Sequence, residues 1–329
     1  MIHKSLSFLL LTIFLISNTL FAQTTISVDP PPLKKGDTVM IVAPAGVMKD
    51  TIGVYKAIEL LHKWGLHYKL GKHLFAKHYQ FAGTDTERLS DFQAALDDPS
   101  VKAIWCARGG YGTIKILDDV DFTNFIKNPK WIIGFSDITA FHTKLNNLGI
   151  TTIHGIMPLT YKPDKKEQKR AIKSLQKAFF GKRLKYKVAE SKYNREGKAE
   201  GVVVGGNLSL VYSMLGSDTQ LNTDGKILYL EEVGEALYHI DRMMISLKRA
   251  GTFDNCKGLI IGGFSDLKSE ANDFGITYEE IILDAVKNFD FPVAFDFPAG
   301  HITDNRTVLL GRNVYLEVKK NKTKLKFDK

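Results

Sequence analysis

The sequence predicts an α/β fold built on a parallel β-sheet. From Lys35 onward, short apolar runs typical of buried strands alternate with segments of helical periodicity. Glycine-rich turns follow several of these runs, and 329 residues with 44% hydrophobic side chains are enough for two domains. Alternating strands and helices imply a sheet covered by helices on both faces, and such sheets bind ligands at the carboxyl ends of their strands.

The predicted N-terminal domain covers residues 35–160. Its strands are the apolar runs within "DTVMIVAPAG", "VKAIWCARGGYG", "KWIIGFSD" and "TTIHGIMP". Its helices are "TIGVYKAIELLHKWG", "TERLSDFQAALDDPS" and "ITAFHTKLNNLG", of which the first and last end at a glycine, as helices often do. The strand ends that could bind a ligand are therefore "APAG", "ARGGYG" and "GFSD".

The composition changes in residues 161–198, which are basic, polar and weakly periodic. This pattern predicts a linker that carries one surface helix. A second domain is predicted over residues 199–329, beginning with "AEGVVVGGNLSLVYSMLGS". It continues with the strand "KILYLEEVG", the helix "ALYHIDRMMISLKRAG", the strand "KGLIIGGFSD", the helix "TYEEIILDAVKNF" and the segment "FPVAFDFPAGHITDNRTVLLGRNVYLEV".

The N-terminus, residues 1–22, has the layout of a secretory signal peptide. Lys4 precedes an apolar stretch from about Leu6 to Ile16, and small and polar residues follow up to Ala22. A membrane span needs about 20 apolar residues, so we expect cleavage after Ala22 and no stable membrane insertion, with an uncleaved anchor as the alternative. Residues 23–34 contain three consecutive prolines and are predicted to be an extended lead-in.

The composition argues against several classes of partner. The formal net charge of +9 comes with lysines clustered in mid-chain and at the C-terminus, without the basic, aromatic-interleaved face of a nucleic-acid-binding protein, so we expect no nucleic-acid partner. The two cysteines, Cys106 and Cys256, lie in apolar runs and are expected to be buried free thiols. Neither a CxxC pair nor an HExxH motif is present, so we expect no metal site and no cofactor.

Ser136 lies where the apolar run "WIIGF" meets the helical segment "ITAFHTKL". A serine on such a strand–turn–helix junction exposes its Oγ at the sheet edge, beside the helix N-terminus, where it can act as a nucleophile. The elbow pattern G-x-S-x-G is incomplete, because Ile138 stands where the second glycine would be. A helix N-cap is the alternative interpretation, since serine is a preferred cap.

The turn "ARGGYG", residues 107–112, follows another predicted strand. Its glycines allow close backbone approach, so its N–H groups could stabilise an oxyanion or cradle a phosphate, although the G-K-[ST] ending of a phosphate loop is missing. Arg108 in this turn could face an anionic substrate group such as a carboxylate, or it could form an ion pair at the surface.

Two later residues could complete a catalytic triad with Ser136. Glu231 ends a predicted strand and shares one strand face with Tyr229, so it could point into a cleft or lie in a solvated acidic turn. His301 lies in the loop "FPAGHITDNRT", where it could reach a nucleophile on another domain or be an exposed turn residue. The chain order Ser, Glu, His supports a triad without deciding between these alternatives.

A set of segments runs in order from Lys35 to about Leu316: "GDTVMIVAPAG", "GTDTERLSDFQAALDDPSVKAIWCARGGYGT", "IIGFSDITAF", "HGIMP", "GGNLSLV", "ILYLEEVGEALYHIDRMMISLKRAG", "GLIIGGF" and "FPAGHITDNRTVLLG". In these segments the chain resembles the LD-carboxypeptidases, serine peptidases that include the muramoyl-tetrapeptide carboxypeptidases and the microcin-immunity peptidases. The resemblance implies a Rossmann- or flavodoxin-like parallel-sheet domain, a smaller mixed, β-rich C-terminal domain, and an active site in the cleft between them. It also implies a homodimer.

The resemblance places a catalytic triad on Ser136 in "GFSD", on Glu231 in "LEE" and on His301 in "AGH". The implied reaction is the hydrolysis of an L,D-peptide bond, which releases the C-terminal D-alanine from peptidoglycan stem tetrapeptides through an acyl-enzyme.

The resemblance also implies that the backbone N–H groups of Asp137 and Gly110 stabilise the oxyanion and that Asn207 lies near the substrate. Arg108 as the ligand of the substrate carboxylate is an inference from its charge alone.

The predicted signal peptide departs from the family members that act in the cytoplasm. It predicts an exported enzyme that acts on peptidoglycan-derived peptides in the periplasm. Two alternatives stay open at the level of sequence. One is a hydrolase with the same triad that acts on another amide, such as a peptide antibiotic or a peptidyl conjugate. The other is a non-catalytic protein that binds muropeptides.

Overall fold

The computed structural model describes residues 27–268 and 274–328. The predicted signal peptide lies outside these ranges. Within them, none of the helices combines the length and the apolar character that a membrane crossing requires.

The described chain forms strands β1 (Thr38–Val42), β2 (His67–Leu70), β3 (Val101–Cys106), β4 (Trp131–Gly134), β5 (Thr152–His154), β6 (Lys185–Val188), β7 (Gly197–Asn207), β8 (Ile227–Val233), β9 (Gly258–Ser265), β10 (Val293–Ala294), β11 (Val308–Leu310), β12 (Asn313–Lys319) and β13 (Lys322–Phe327). Its helices are α1 (Ile52–Lys63), α2 (Asp85–Asp97), α3 (Thr113–Ile116), α4 (Thr123–Lys127), α5 (Thr139–Asn147), α6 (Lys169–Phe179), α7 (Leu208–Ser213), α8 (Leu237–Arg249) and α9 (Tyr278–Ala285).

The first sheet has six strands in the order β11-β5-β4-β3-β1-β2. Strands β1 to β5 pair in parallel, and β11 closes the edge in the antiparallel direction. The order 2-1-3-4-5 is that of a flavodoxin-like sheet, whose ligand crevice opens at the carboxyl ends of β1 and β3, where the strand order reverses. The predicted α/β fold is therefore confirmed, and the switch point lies at the turns "APAG" and "ARGGYG".

The second sheet has seven strands in the order β10-β9-β8-β7-β12-β13-β6. Its first four strands are parallel and its last three pair in the antiparallel direction, so this part of the chain is a mixed α/β unit. The two sheets share one hydrophobic cluster, in which Ile153 of β5 is buried together with Tyr229 of β8 and Phe297. Common burial of both sheets holds their strand ends in a fixed mutual position.

Several elements differ from the predicted organisation, among them β2, β6 and α6. The edge strand β2 was not predicted, because three of its four residues are exposed and it carries no apolar run. The predicted linker contains not only the helix α6 but also β6, which pairs with β13 at the edge of the second sheet. Helix α6, predicted to lie at the surface, is amphipathic and buries one face, since Leu175 and Phe179 lie in the core that the two sheets share.

The two cysteines are free in the described structure. Cys106 is fully buried at the end of β3, as predicted. Cys256 is only half-buried, and its thiol lies 3.1 Å from the carbonyl oxygen of Thr252. Burial raises the pKa of the Cys256 thiol to about 12, so the group is a poor nucleophile at neutral pH.

Candidate active site

Ser136 occupies the turn between β4 and α5. Phe135 is still extended, whereas Ser136 has a φ of 65°, in the left-handed region that non-glycine residues rarely adopt. Its side chain does not cap the helix, since the residues 136–138 form a short 3-10 turn and α5 begins after Ile138. Of the two interpretations of this serine, the N-cap does not describe its geometry.

The close packing of this turn explains the incomplete elbow pattern. A Cβ placed on Gly134 would lie 2.8 Å from Cγ1 of Ile138, which is closer than real contacts allow. The first glycine is therefore required because the side chain at position 138 covers it. Ile138 fills the space that the second glycine of the usual pattern leaves free, and it is fully buried there.

His301 and Glu231 approach Ser136 from the second sheet. Glu231 lies near the carboxyl end of β8, and the residue before His301, Gly300, forms a bridge to Gly263 of β9. His301 Nδ1 lies 2.6 Å from Glu231 Oε2, and His301 Nε2 lies 3.0 Å from Ser136 Oγ. Because an ionised carboxylate can only accept, Nδ1 donates to Glu231, and Nε2 of the neutral ring accepts from the serine hydroxyl.

The electrostatic surroundings of His301 suit a general base. Glu231 is fully buried and the side chain of His301 is 19% exposed. Burial opposes the charged imidazolium, but the charge and hydrogen bond of Glu231, together with Glu232 and Asp266, outweigh it, so the pKa of His301 is raised above its ordinary value. Phe135 packs against the ring edge-on, at 4.9 Å between centroids, and holds it in place.

The turn after β3 lies directly against Ser136. A Cβ placed on Gly109 would lie 3.0 Å from Cβ of Ser136 and 3.3 Å from the backbone nitrogen of Asp137. The carbonyl oxygen of Gly109 accepts from Gly46 N–H at 3.0 Å, so the trans peptide directs the Gly110 N–H away from Gly46. Within the described ranges neither Gly110 N–H nor Asp137 N–H donates to another protein group, so both are free for an oxyanion.

The carboxylate of Asp137 connects the serine turn to the glycine turn. Its Oδ2 accepts from the backbone N–H of Thr113, the first residue of α3, at 2.8 Å. Burial raises the pKa of Asp137, and the hydrogen bond from Thr113 and the charge of Arg88 oppose this. The sequence predicts no role for this carboxylate. The structure shows that it fixes the position of the turn that carries Gly110.

Arg108 lies in the turn after β3, with its guanidinium beside Gly46 and Gly110. Its guanidinium donates to the carbonyl oxygen of Val47, so one donor is already used inside the protein. The side chain is half-buried beside Gly46, and it does not line the cavity that contains His301. Binding of a substrate carboxylate by Arg108 stays a prediction.

Asn207 lies at the end of β7, opposite Glu231 in the register of β7 and β8. It is 3% exposed, and its side chain accepts from Leu210 N–H at 3.3 Å and donates to Glu232 at 2.9 Å. Its backbone N–H donates to Thr139 Oγ1 at 3.0 Å, which joins the second sheet to the helix that follows Ser136. Asn207 therefore connects Glu232 of β8 to the helix that follows Ser136. Its direct contact with substrate stays a prediction.

Glu232 is a further residue of this network that sequence reasoning missed. Its two carboxylate oxygens accept from Asn207, from the backbone and hydroxyl of Ser209, and from its own strand at Val233 N–H. Burial raises its pKa, and these hydrogen bonds oppose the shift. The alternation of strand faces at Glu231 and Glu232 was a signal for one role on each face.

A cavity of about 320 Å³ opens beside His301. It lies between the two sheets, and its lining includes Phe135, Leu159, Lys162, Lys165, His301 and Ile302. A larger cavity of about 750 Å³ lies at the opposite ends of the strands, near Asp37, Val101 and Lys130, and contains none of the three residues of the hydrogen-bonded chain. Within residues 27–268 and 274–328, no group of His, Cys, Asp and Glu is arranged to hold a metal ion.

Comparison with known proteins shows the family of the chain. Residues 39–155 match the LD-carboxypeptidase N-terminal domain, and residues 200–316 match the LD-carboxypeptidase C-terminal domain. A relative from Bacillus subtilis, the "probable murein peptide carboxypeptidase", is 35% identical over 87% of this chain and 91% of its own length. The "murein tetrapeptide carboxypeptidase" of Pseudomonas aeruginosa is 28% identical over 85% of this chain and 92% of its own.

Solved structures agree with this assignment. The muramoyltetrapeptide carboxypeptidase from Oxalobacter formigenes superposes with a TM-score of 0.80 at 28% identity, and the match covers 89% of this chain and 99% of that chain. The protein MccF, in its complex with glutamyl sulfamoyl guanosine, superposes equally well, with a TM-score of 0.80 over 92% of this chain and 98% of that chain. At 21% identity the second likeness shows a shared fold.

Proposed function

The chain belongs to the LD-carboxypeptidase family, and from this premise we propose that it cleaves the L,D-peptide bond that holds the C-terminal D-alanine of peptidoglycan stem tetrapeptides. Its class, a serine-type carboxypeptidase, follows from the family. The substrate is supported by the relatives from Bacillus subtilis and Pseudomonas aeruginosa, whose names specify murein peptides.

One observation carries the mechanism. Ser136, His301 and Glu231 come from three separate parts of the chain, yet they form a continuous hydrogen-bonded chain with distances of 3.0 and 2.6 Å. A nucleophile, a base in contact with it, and a buried acid that orients the base are the three roles that acyl transfer requires. We therefore assign these roles to the three side chains.

Acylation begins when Ser136 Oγ attacks the carbonyl carbon of the scissile bond. His301 Nε2 takes the hydroxyl proton, and Glu231 keeps Nδ1 protonated and stabilises the imidazolium. The negative charge that develops on the carbonyl oxygen is stabilised by the N–H groups of Asp137 and Gly110. The imidazolium then gives its proton to the nitrogen of D-alanine, and the C–N bond breaks.

Deacylation repeats these steps with water. His301 takes a proton from water, the hydroxide attacks the ester carbonyl, and the oxyanion returns to the same two N–H groups. Breakdown of this intermediate releases the shortened peptide, and the proton returns from His301 to Ser136 Oγ. No redox partner or metal is required for the balance of either half-reaction.

We further propose that the enzyme is exported, acts in the periplasm and is a homodimer. The signal-peptide pattern of residues 1–22 supports export. Fractionation of the native host, with an antibody against the protein, would detect it in the periplasmic fraction. A cytoplasmic location, with the first 22 residues retained, would contradict this proposal.

The reaction is tested directly with purified protein and a muramoyl tetrapeptide. We expect D-alanine and the corresponding tripeptide as the only products by mass spectrometry. The variant Ser136→Ala should release none, because the nucleophile is absent. Absence of D-alanine with the wild-type protein would refute the substrate, and full activity of the variant would refute the mechanism.

A further inference from the structure

The cavity beside His301 lies on one particular side of the nucleophile. Its lining includes Phe135 and His301, which flank Ser136, but no residue of the oxyanion turn 108–112. In acyl transfer the histidine delivers its proton to the leaving nitrogen, so the leaving group lies on the side of the imidazole. A cavity that contains the histidine and excludes the oxyanion turn is therefore the space for the leaving residue.

The lining of this cavity combines an apolar wall with an excess of positive charge. Ile156, Leu159 and Ile302 form an apolar wall. Lys162 and Lys165 also line the cavity, and among the described residues Asp266 contributes its one lining carboxylate. In the described part of the chain, neither lysine has a carboxylate within ion-pair distance. Two unpaired ammonium groups beside the leaving-group space would favour an anionic partner.

The segment that carries the two lysines is held in place by Gln168. This buried side chain donates to the carbonyl oxygen of Thr160 and accepts from the backbone N–H of Lys162, each at 2.8 Å. Lys165 N–H donates to the carbonyl oxygen of Lys162 at 3.1 Å, which closes the turn between them. A backbone fixed before the ligand arrives reduces the ordering cost of binding.

We propose that Lys162 and Lys165 bind the free α-carboxylate of the leaving residue and so restrict the enzyme to the C-terminal bond. This inference rests on the proposed function and deepens it. The apolar wall accommodates a small side chain such as the methyl group of D-alanine. In a peptide that continues beyond the leaving residue, an uncharged amide takes the place of this carboxylate, so the two ammonium groups discriminate against internal cleavage.

The test compares the tetrapeptide acid with the same tetrapeptide amidated at its C-terminus. Wild-type protein should prefer the acid in kcat/KM. In the double variant Lys162→Gln/Lys165→Gln, the ratio of kcat/KM for the acid to that for the amide should fall about 10- to 100-fold, the range expected for hydrogen bonds to a charged group. The fall should come from a lower kcat/KM for the acid, with the value for the amide unchanged.

Two control variants separate this role from general electrostatics. Lys166→Gln removes an equal charge from the same segment, at a side chain that does not line the cavity, and should leave the preference unchanged. Lys162→Arg/Lys165→Arg keeps both charges and should retain most of the preference. An unchanged preference in the double glutamine variant, or an equal loss with acid and amide, would overturn the proposal.

A second measurement keeps this inference separate from the reaction itself. Calorimetry with Ser136→Ala protein should show tighter binding of the acid than of the amide, and the two lysine substitutions should remove the difference. If wild-type protein released no D-alanine while this lysine-dependent difference persisted, the proposed function would fail and the carboxylate site would stand. Equal binding of acid and amide would overturn the carboxylate site alone.

Discussion

Replacement of Ser136 by glycine should leave the protein more stable than replacement by alanine. Ser136 has a φ of 65°, and an L-residue in the left-handed region costs roughly 1–2 kcal/mol, a cost that alanine keeps and glycine removes. Glycine also raises the conformational entropy of the unfolded chain, which lowers the free energy of unfolding by about 0.4–1 kcal/mol. Both variants lose the hydrogen bond to His301, so this loss cancels. The balance favours glycine by about 1 kcal/mol in the free energy of unfolding.

Urea denaturation of the two variants measures this difference. Ser90 offers a matched pair, because it lies within α2 and its hydroxyl also makes one hydrogen bond, to the carbonyl oxygen of Glu87 at 2.9 Å. At Ser90 alanine should be more stable than glycine by about 1 kcal/mol, the ordinary helix order. The same order at Ser136 would refute the strain assigned to the nucleophile turn.

Three further substitutions test the surroundings of the nucleophile. Against the effect of burial, Glu231 and its acidic neighbours raise the pKa of His301, so Glu231→Gln should move the acidic limb of the kcat/KM profile to lower pH and reduce kcat by roughly 10⁴-fold. Glu232→Gln should lower the free energy of unfolding, measured by urea denaturation, by about 2–3 kcal/mol. Each carboxylate oxygen accepts at least two hydrogen bonds, and the NH₂ group of glutamine in place of either oxygen could not accept them. Asp137→Ala frees the N–H of Thr113 and should lower kcat about 10- to 100-fold with KM nearly unchanged, because the turn that carries Gly110 loses its anchor.

Each of these expectations has a contrary result. An unshifted acidic limb in Glu231→Gln would show that another group titrates in the wild-type profile. Wild-type stability of Glu232→Gln would mean that Asn207 and Ser209 find other partners. A change of Asp137→Ala that appears in KM alone would assign the carboxylate to substrate binding instead of the oxyanion turn.

The raised pKa of His301 also links stability to pH. Because the folded state holds the proton more tightly, protonated His301 stabilises it. This contribution is complete below the ordinary histidine pKa of about 6.5 and is lost as pH rises through the raised folded value. The free energies of unfolding of the wild type and of Glu231→Gln, measured between pH 5 and 9, would detect this contribution. The difference between the two proteins should become smaller toward pH 9.

Much of the fold could be predicted because its buried strands are marked by local patterns. Strands β1, β3, β4, β5, β8 and β9 each contain an apolar run, since both faces of a covered parallel sheet are buried. Strand β2 escaped prediction because it is an exposed edge strand, and β6 because its alternating exposure is set by its partner β13. The position of β11 in the first sheet depends on pairing across more than 150 residues, which no local pattern encodes.

The candidate site divides in a similar way. Ser136, Glu231 and His301 could be named from the strand–turn–helix junction, the strand end, the loop and the resemblance, but their contact is a property of the folded chain. The orientation of Arg108 toward Val47 could not be predicted, because sequence reports the charge of a side chain and not the acceptor it finds. The roles of Glu232 and of the Asp137 carboxylate were hidden for the same reason, since both depend on donors that are distant in sequence.

The alternation of strands and helices, the family and the residue types available for acyl transfer follow from the amino-acid sequence, because periodicity and motifs can be recognised along the chain without its fold. Folding brings His301 to one of the available carboxylates, leaves particular N–H groups free beside Ser136, and places particular cations at the leaving-group cavity. These contacts join parts of the chain that are far apart in sequence, and burial in a shared core between two sheets sets their distances.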